Sequence, residues 1–307
     1  MTGSWKDGKA LMGLGIASPN SRAKLWQAKP QGLTFGHIEE KKQGMNRVRE
    51  SEIKKVGILG GGQLARMLIQ QGQRMGLEMH VLCPSSKEPG PQVTRYWTQG
   101  SPHERQDLLD FMTRVDLISF ESEFLDGVLI HELQQKIQCQ VEPHPLLMNL
   151  LQDRLSQKRW LLEHGVPTAP FISVENPKDF EEALKFFPKG FVLKKRRYGY
   201  DGYGTYIVDA DSNVESFFSI FDKTPEGFIA ESKIHFKREL AVQVARSRSG
   251  ELAVLPLVES CQKDQRCYWV KGPVQHSKAS TLVKKLKKLL EKSRYVGIMA
   301  FELFDSS

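Results

Sequence analysis

Cysteine is scarce in this chain. The 307 residues hold four, Cys83, Cys139, Cys261 and Cys267, and no two are spaced as CxxC. That argues against a disulfide framework or a cysteine-ligated zinc site and reads as reduced thiols of a cytoplasmic protein. Long apolar runs are also missing. None approaches the roughly 18 residues of a membrane span, and Trp5-Lys6-Asp7 interrupts any signal-peptide core. Nothing matches GxxxxGK[ST], so a nucleotide site here needs an architecture other than a Walker A loop. What is present is a globular composition, 40% hydrophobic and 26% charged, with a net charge of +8. The basic excess favours anionic partners, either nucleic acid or phosphorylated metabolites.

Residues 1–52 show no sustained hydrophobic period and read as a poorly ordered N-terminal extension, with Met45 as an alternative start. From Ile53 the pattern changes. KKVGILG is a short strand that runs into Gly60-Gly61-Gly62. A helix with apolar residues at Leu64, Met67, Leu68, Met75 and Leu77 follows, then a strand at Met79–Leu82. This β-loop-α-β unit opens a doubly wound parallel sheet. Gly60-x-Gly62-x-x-Ala65 invites a dinucleotide reading. However, an NAD site wants a carboxylate at the end of the second strand, where Cys83-Pro84 stands. Two readings stay open: a helix N-terminus poised for phosphate, and a tight packing turn. A strand at Val115–Phe120 ends in Glu121-Ser122-Glu123. The two carboxylates share a face if the strand continues, at the usual ligand position of open α/β sheets; on these residues alone a solvated acidic loop is the favoured reading.

Further on, Leu146–His164 reads as a helix with Arg154 and Lys158 four apart on one face, stopped by Gly165. Asn176-Pro177 caps a helix over 178–187. The stretch Phe191–Thr205, FVLKKRRYGYDGYGT, starts as a strand, delivers four cations at Lys194–Arg197 and ends in a loop with Gly199, Gly202 and Gly204. Cations neutralise phosphate oxygens, and glycines let backbone N–H groups approach them. A hairpin turn beside a solvated charge run is the other reading. Strands follow at Phe228–Ser232 and Arg238–Arg246, the second pairing with 252–258 across Ser249-Gly250. The helix over 281–292 turns leucines inward and lysines outward; with no aromatic interleaving its lysines read as a solvated face, not a nucleic-acid patch. Val296–Phe304 is a buried strand containing Glu302. A carboxylate there is expensive unless paired or metal-bound, which makes it a site candidate.

Taken in order, GGGQLARML, FESE, QDRLSQK, VLKKRRYGYDGYG, AESKIHFKREL and GIMAFELF resemble the ATP-grasp superfamily, from about Lys55 to Phe304. Within it they resemble the N5-carboxyaminoimidazole ribonucleotide synthetases, the ATPase subunits of phosphoribosylaminoimidazole carboxylase in purine biosynthesis. The resemblance implies an α/β fold with a Rossmann-like (pre-ATP-grasp) domain at 53–145. An ATP-grasp α+β pair would follow: linker helix and lid subdomain at 146–228, and a C-terminal subdomain at 229–307. That last subdomain is expected to be C-terminally incomplete, because the family continues beyond the position of Glu302 into a strand with a second metal carboxylate. The implied activity is that of an ADP-forming carbon–nitrogen ligase using ATP and Mg²⁺. Bicarbonate would be phosphorylated to carboxyphosphate, and 5-aminoimidazole ribonucleotide carboxylated on its exocyclic amine. The implied setting is a cytoplasmic homodimer with no nucleic-acid or membrane partner.

The same resemblance assigns residues. Arg154 and Lys194 would meet the ATP phosphates, and the loop Gly199, Tyr200, Asp201, Gly202, Tyr203, Gly204 and Thr205 would cover them. Glu231, Ser232, Lys233 and Ile234 would meet the adenine, Glu239 the ribose, and Glu302 the magnesium. Gly60, Gly61, Gly62, Gln63 and Leu64, with Glu121 and Glu123, would contribute to the ribonucleotide site. The chain departs from the family at Tyr198 (a glycine), Tyr203 (Lys or Arg), Thr205 (Gln), Ser260 (Asn) and Gln262 (a nucleotide-assisting His). A relative that binds nucleotide without turnover is therefore a second reading.

Overall fold

The structure, a computed structural model, describes residues 53–137, 139–199, 203–212, 215–263 and 266–306. The expected extension at 1–52 and the loop residues Tyr200, Asp201 and Gly202 lie outside these. Three sheets organise the described chain. The first is parallel throughout, β1 (Lys55–Leu59), β2 (Glu78–Cys83), β3 (Tyr96–Gln99), β4 (Leu117–Phe120) and β5 (Gln140–Val141), in the order β3-β2-β1-β4-β5. Helices α1 (Gln63–Arg74), α2 (Arg105–Met112) and α3 (Gly127–Gln134) connect its strands. The strand order reverses between β1 and β4, so the crevice at their carboxyl ends is the position where such sheets take ligands. The loop Gly60–Gly62 and Glu121 both stand there.

The apolar residues read from the sequence of α1 are not its core face. Ala65, Ile69 and Gly72 are buried, whereas Leu64 and Met67 are more than half exposed. The cause is close packing on β2: a Cβ at Gly72 would stand 2.2 Å from the Met79 sulfur. Ala65, Ile69 and Gly72 thus form the face that meets β2, and Leu64 and Met67 lie off it. Leu77 lies beyond the end of the helix.

The expected single helix over 146–164 is two. Helix α4 (Pro145–Leu151) stops at Gln152, and Asp153 then caps α5 (Arg154–Glu163), accepting from the amides of Leu155 at 2.9 Å and Ser156 at 3.2 Å. The second sheet is antiparallel, in the order β6 (Phe171–Val174), β9 (Phe228–Ser232), β7 (Phe191–Lys195), β8 (Thr205–Val208). One face packs an aromatic core of Phe180, Phe187, Phe191 and Phe228 against α6 (Pro177–Phe186) and α7 (Glu215–Phe221). The other face carries Lys194, Ile229 and Glu231 towards α5.

The third sheet is built on β10 (Arg238–Arg246). It pairs along its whole length with β14 (Gly297–Asp305); its other side is shared between β12 (Val258–Lys263) and β11 (Leu252–Val254). Strand β13 (Arg266–Lys271) completes a hairpin with β12, an element the sequence reading missed. Leu240, Val242, Val244, Met299, Phe301 and Leu303 cover one face and pack on α8 (Ala279–Lys292) through Leu286, Leu289 and Leu290. Among the described residues, no helix is long and apolar enough to cross a membrane.

A candidate nucleotide site built on buried cations

The end of β7 turns four successive cations in different directions. Lys194, on the face away from the aromatic core, is buried and reaches Glu231 Oε2 on β9 at 3.1 Å. Lys158, one turn along α5 from Arg154, reaches the same oxygen at 3.3 Å and donates to Thr168 Oγ1 at 2.7 Å. One carboxylate thus serves two buried ammonium groups. Burial alone would raise the Glu231 carboxyl, but Lys194 and then Lys158 more than offset this and hold it below the usual range. Burial lowers the Lys158 ammonium, with Glu231 opposing the shift.

Arg154 lies beside this cluster. Its Nη1 donates to the carbonyl of Lys195 at 2.7 Å and its Nη2 to that of Gly199 at 3.1 Å, so it spans the mouth of the glycine loop from inside. A Cβ at 199 would stand 2.7 Å from Arg154 Nη1, so a larger residue there would press on the guanidinium head. Among the described residues, Arg154 Nε is buried without a hydrogen-bond partner. Lys195 extends over the Tyr203 ring, 4.8 Å from its centroid. Arg196 pairs with Asp153, its Nε 3.1 Å from Oδ1. Arg197 turns to the α4–α5 junction, donating to Gln152 Oε1 and to the Asn149 carbonyl, both at 3.2 Å. The run is therefore not a solvated charge face.

The remaining candidates fall in three places. Ser232, Lys233 and Ile234 carry the chain out of the second sheet towards the third, with Lys233 paired to Asp209. On β10 and β14 the register sets Glu239 opposite Phe304 and Ala241 opposite Glu302. Glu239 and Glu302 are hence diagonal neighbours on one face, opposite the face that packs on α8. Ser260 lies across from Glu239 on β12, and Gln262 sits two residues further along that strand. Thr205 opens β8 opposite Lys194. At the first sheet the strand ends at Phe120 and does not continue, so the shared-face expectation for Glu121 and Glu123 fails. Glu121 instead lies over the glycine turn. A Cβ at Gly60 or Gly62 would meet its oxygens at 2.5 or 2.3 Å. Glu123 is exposed, and its charge is felt by Arg154. Gln63 and Leu64 start α1, with Leu64 exposed. Among the described residues, no group of three or more His, Cys, Asp or Glu side chains is arranged to hold a metal.

Sequence reasoning noted Lys158 without giving it a site, and it missed Thr168, Asp153 and Gln152. The four-residue step from Arg154 was the available signal for Lys158.

Comparison with known proteins defines the class. A family model described as the ribonucleotide synthetase preATP-grasp domain matches residues 53–152, and one described as the ATP-grasp domain matches residues 159–307. The chain belongs to the ATP-grasp proteins, in the family of N5-carboxyaminoimidazole ribonucleotide synthases. Relatives of that name include one from Synechococcus elongatus, 32% identical over 262 residues, covering 85% of this chain and 66% of the relative. Another, from Synechocystis, is 33% identical over 83% of this chain and 64% of its own length. Among solved structures, the Staphylococcus aureus synthetase complexed with ADP superposes with a TM-score of 0.77 at 27% identity, covering 83% of this chain and 67% of that one. The Thermus thermophilus synthetase gives 0.73 at 30% identity, covering 82% and 68%. The chain thus spans slightly less than two thirds of these two curated relatives.

Proposed function

We propose that this chain performs the ATP- and bicarbonate-dependent carboxylation of 5-aminoimidazole ribonucleotide to N5-carboxyaminoimidazole ribonucleotide. The observation that carries the reading is the charge imbalance at the root of the glycine loop: among the described residues, the buried cations Lys158, Lys194 and Arg154 stand against one buried carboxylate, Glu231, with the exposed Glu123 acting on Arg154 from further off. Buried charge left uncompensated is costly, and a polyphosphate would complete it. The names of the relatives give the carboxylated ribonucleotide product, and its substrates are part of the proposal.

In this reading Lys194 and Arg154 use their remaining N–H groups on phosphate oxygens, while Lys158 and Thr168 hold Glu231, and through it Lys194, in place. Gly199, Tyr203, Gly204 and Thr205, with Tyr200, Asp201 and Gly202 between them, cover the phosphates. The backbone at 231–234 receives the adenine, Glu239 the ribose hydroxyls, and Gln262 lies beside the nucleotide. A bicarbonate oxygen attacks the γ-phosphorus and ADP leaves, which forms carboxyphosphate. The amine of the ribonucleotide, held by the 60–64 turn with Glu121 and Glu123, then attacks the carboxyl carbon and phosphate leaves. Such transfers need charge neutralisation and in-line positioning more than covalent help. Glu302, with Glu239 beside it on the same sheet face, suits a hard oxygen-ligated cation that takes its other ligands from water and phosphate. When bound, Mg²⁺ would offset charge on the phosphate oxygens. A cytoplasmic homodimer is part of the same reading, and sedimentation tests the dimer.

The deciding experiment is ADP release from MgATP and bicarbonate, with and without the ribonucleotide, for the parent and Lys194→Ala. That variant keeps the Lys158–Glu231 pair, and its thermal midpoint checks folding. Turnover that requires the ribonucleotide and is lost in the variant is expected. A folded parent that binds nucleotide and shows no turnover would overturn the reading in favour of a non-catalytic nucleotide binder.

A further inference from the structure

Two loops from different sheets meet at the α4–α5 junction. One is the segment Glu121–Leu125 after β4, and the other is the start of the glycine loop after β7. Gln152, the residue between the two helices, holds both. Its Nε2 donates to the Leu125 carbonyl at 2.6 Å, and its Oε1 accepts from Arg197 Nη1 at 3.2 Å. Arginine only donates and a backbone carbonyl only accepts, so this amide has one workable orientation. Arg197 uses its other terminal nitrogen on the Asn149 carbonyl, which fixes its planar head at two points. The next residue, Tyr198, has φ +58°, a backbone conformation rare for a bulky side chain. Its ring lies 6.2 Å, centroid to centroid, from that of Phe124 in the first loop. The strained backbone and the ring contact thus sit at the point where one loop touches the other.

We propose that Gln152, Arg197 and Tyr198 are positioning residues that couple the two ligand sites, so that binding at either site favours binding at the other. The proposal rests on the functional reading above, which gives the 60–64 and 121–123 segments to the ribonucleotide and Lys194 and Arg154 to ATP. Coupling of this kind is reciprocal: each ligand must tighten the other by the same factor.

The test is binding by calorimetry, using β,γ-methylene-ATP with Mg²⁺ and 5-aminoimidazole ribonucleotide, each titrated alone and in saturating presence of the other. The parent is expected to show mutual tightening of at least about fivefold, the lower end of typical couplings. In Arg197→Ala, Gln152→Met and Tyr198→Gly the factor falls to about one, while affinity for each ligand alone stays within about threefold on the same scale. Tyr198→Phe keeps the ring and restores the coupling, a result that a merely structural role does not predict. Coupling that survives in Arg197→Ala and Tyr198→Gly would overturn the proposal, as would a parent that binds both ligands independently. A parent that binds neither ligand refutes the functional reading and the coupling together.

Discussion

Replacing Glu231 by Gln removes the one negative charge that two buried ammonium groups share. The side chains of Lys158 and Lys194 are 3% and 8% exposed, and both contacts to Glu231 Oε2 lie within 3.3 Å. Breaking a buried pair by removing one partner typically costs about 3–5 kcal/mol, because the other charge stays buried without compensation. Here two charges are left. The amide oxygen still accepts a hydrogen bond, which holds the loss near the middle of that range, about 4 kcal/mol. At about 2–4 °C per kcal/mol for a protein of this size, the thermal midpoint should fall by roughly 10 °C. The assay is a melt monitored by circular dichroism near neutral pH at fixed protein concentration. A second substitution sharpens it: Lys158→Met in the Glu231→Gln background removes one uncompensated cation and should recover part of the loss. A Glu231→Gln protein within about 1 kcal/mol of the parent, or a double variant less stable than the single one, would refute the idea that charge compensation governs this cluster.

The packing of α1 predicts a contrast on one helix: Ile69→Ala should cost about 2–5 kcal/mol, whereas Met67→Gln should stay within about 0.5 kcal/mol, both read by urea unfolding. The His144 and His131 rings lie 5.3 Å apart, tilted by 41°, and burial pushes His144 down to about 4 and lowers His131. An unfolded chain therefore takes up protons between about pH 6.5 and 4 that the folded chain does not. The fold should lose stability as pH falls through that window, by at most about 3 kcal/mol at His144, and His144→Phe should flatten the decline in a pH series of unfolding midpoints.

Two strands of the C-terminal half were legible in the sequence, β10 by its alternation and β9 as a short apolar run that breaks at Lys233. β9 and β10 begin and end where their period and flanking residues place them, at Phe228–Ser232 and Arg238–Arg246. Less was legible where distant residues decide. The buried face of α1 depends on how closely β2 approaches, and its larger apolar residues pointed to the wrong side. The direction of Glu121 depended on a strand that ends at Phe120, before it reaches the two carboxylates that a shared-face reading needs it to include. The sharing of Glu231 by lysines from α5 and β7 brings together side chains that no local pattern relates. In the run Lys194–Arg197 the composition suggested phosphate or solvent. The fold gives Lys194 a buried carboxylate, and beyond the end of β7 at Lys195 the chain turns Arg196 and Arg197 to the α4–α5 junction.

The position of β10 also has a consequence for how the chain is made. Its full-length partner is β14, and Arg238 meets Asp305 across 67 residues. On a ribosome that emits about 5–20 residues per second, β10 waits several seconds with one edge open. Its apolar face, Leu240, Val242 and Val244, stays uncovered until α8 and β14 emerge. During that interval β10 is a hydrophobic strand with a free edge, the kind of segment that pairs with other nascent chains. Translation speed over residues 247–305, and protection of the emerging chain during that time, should therefore govern how much folded protein each round of synthesis yields.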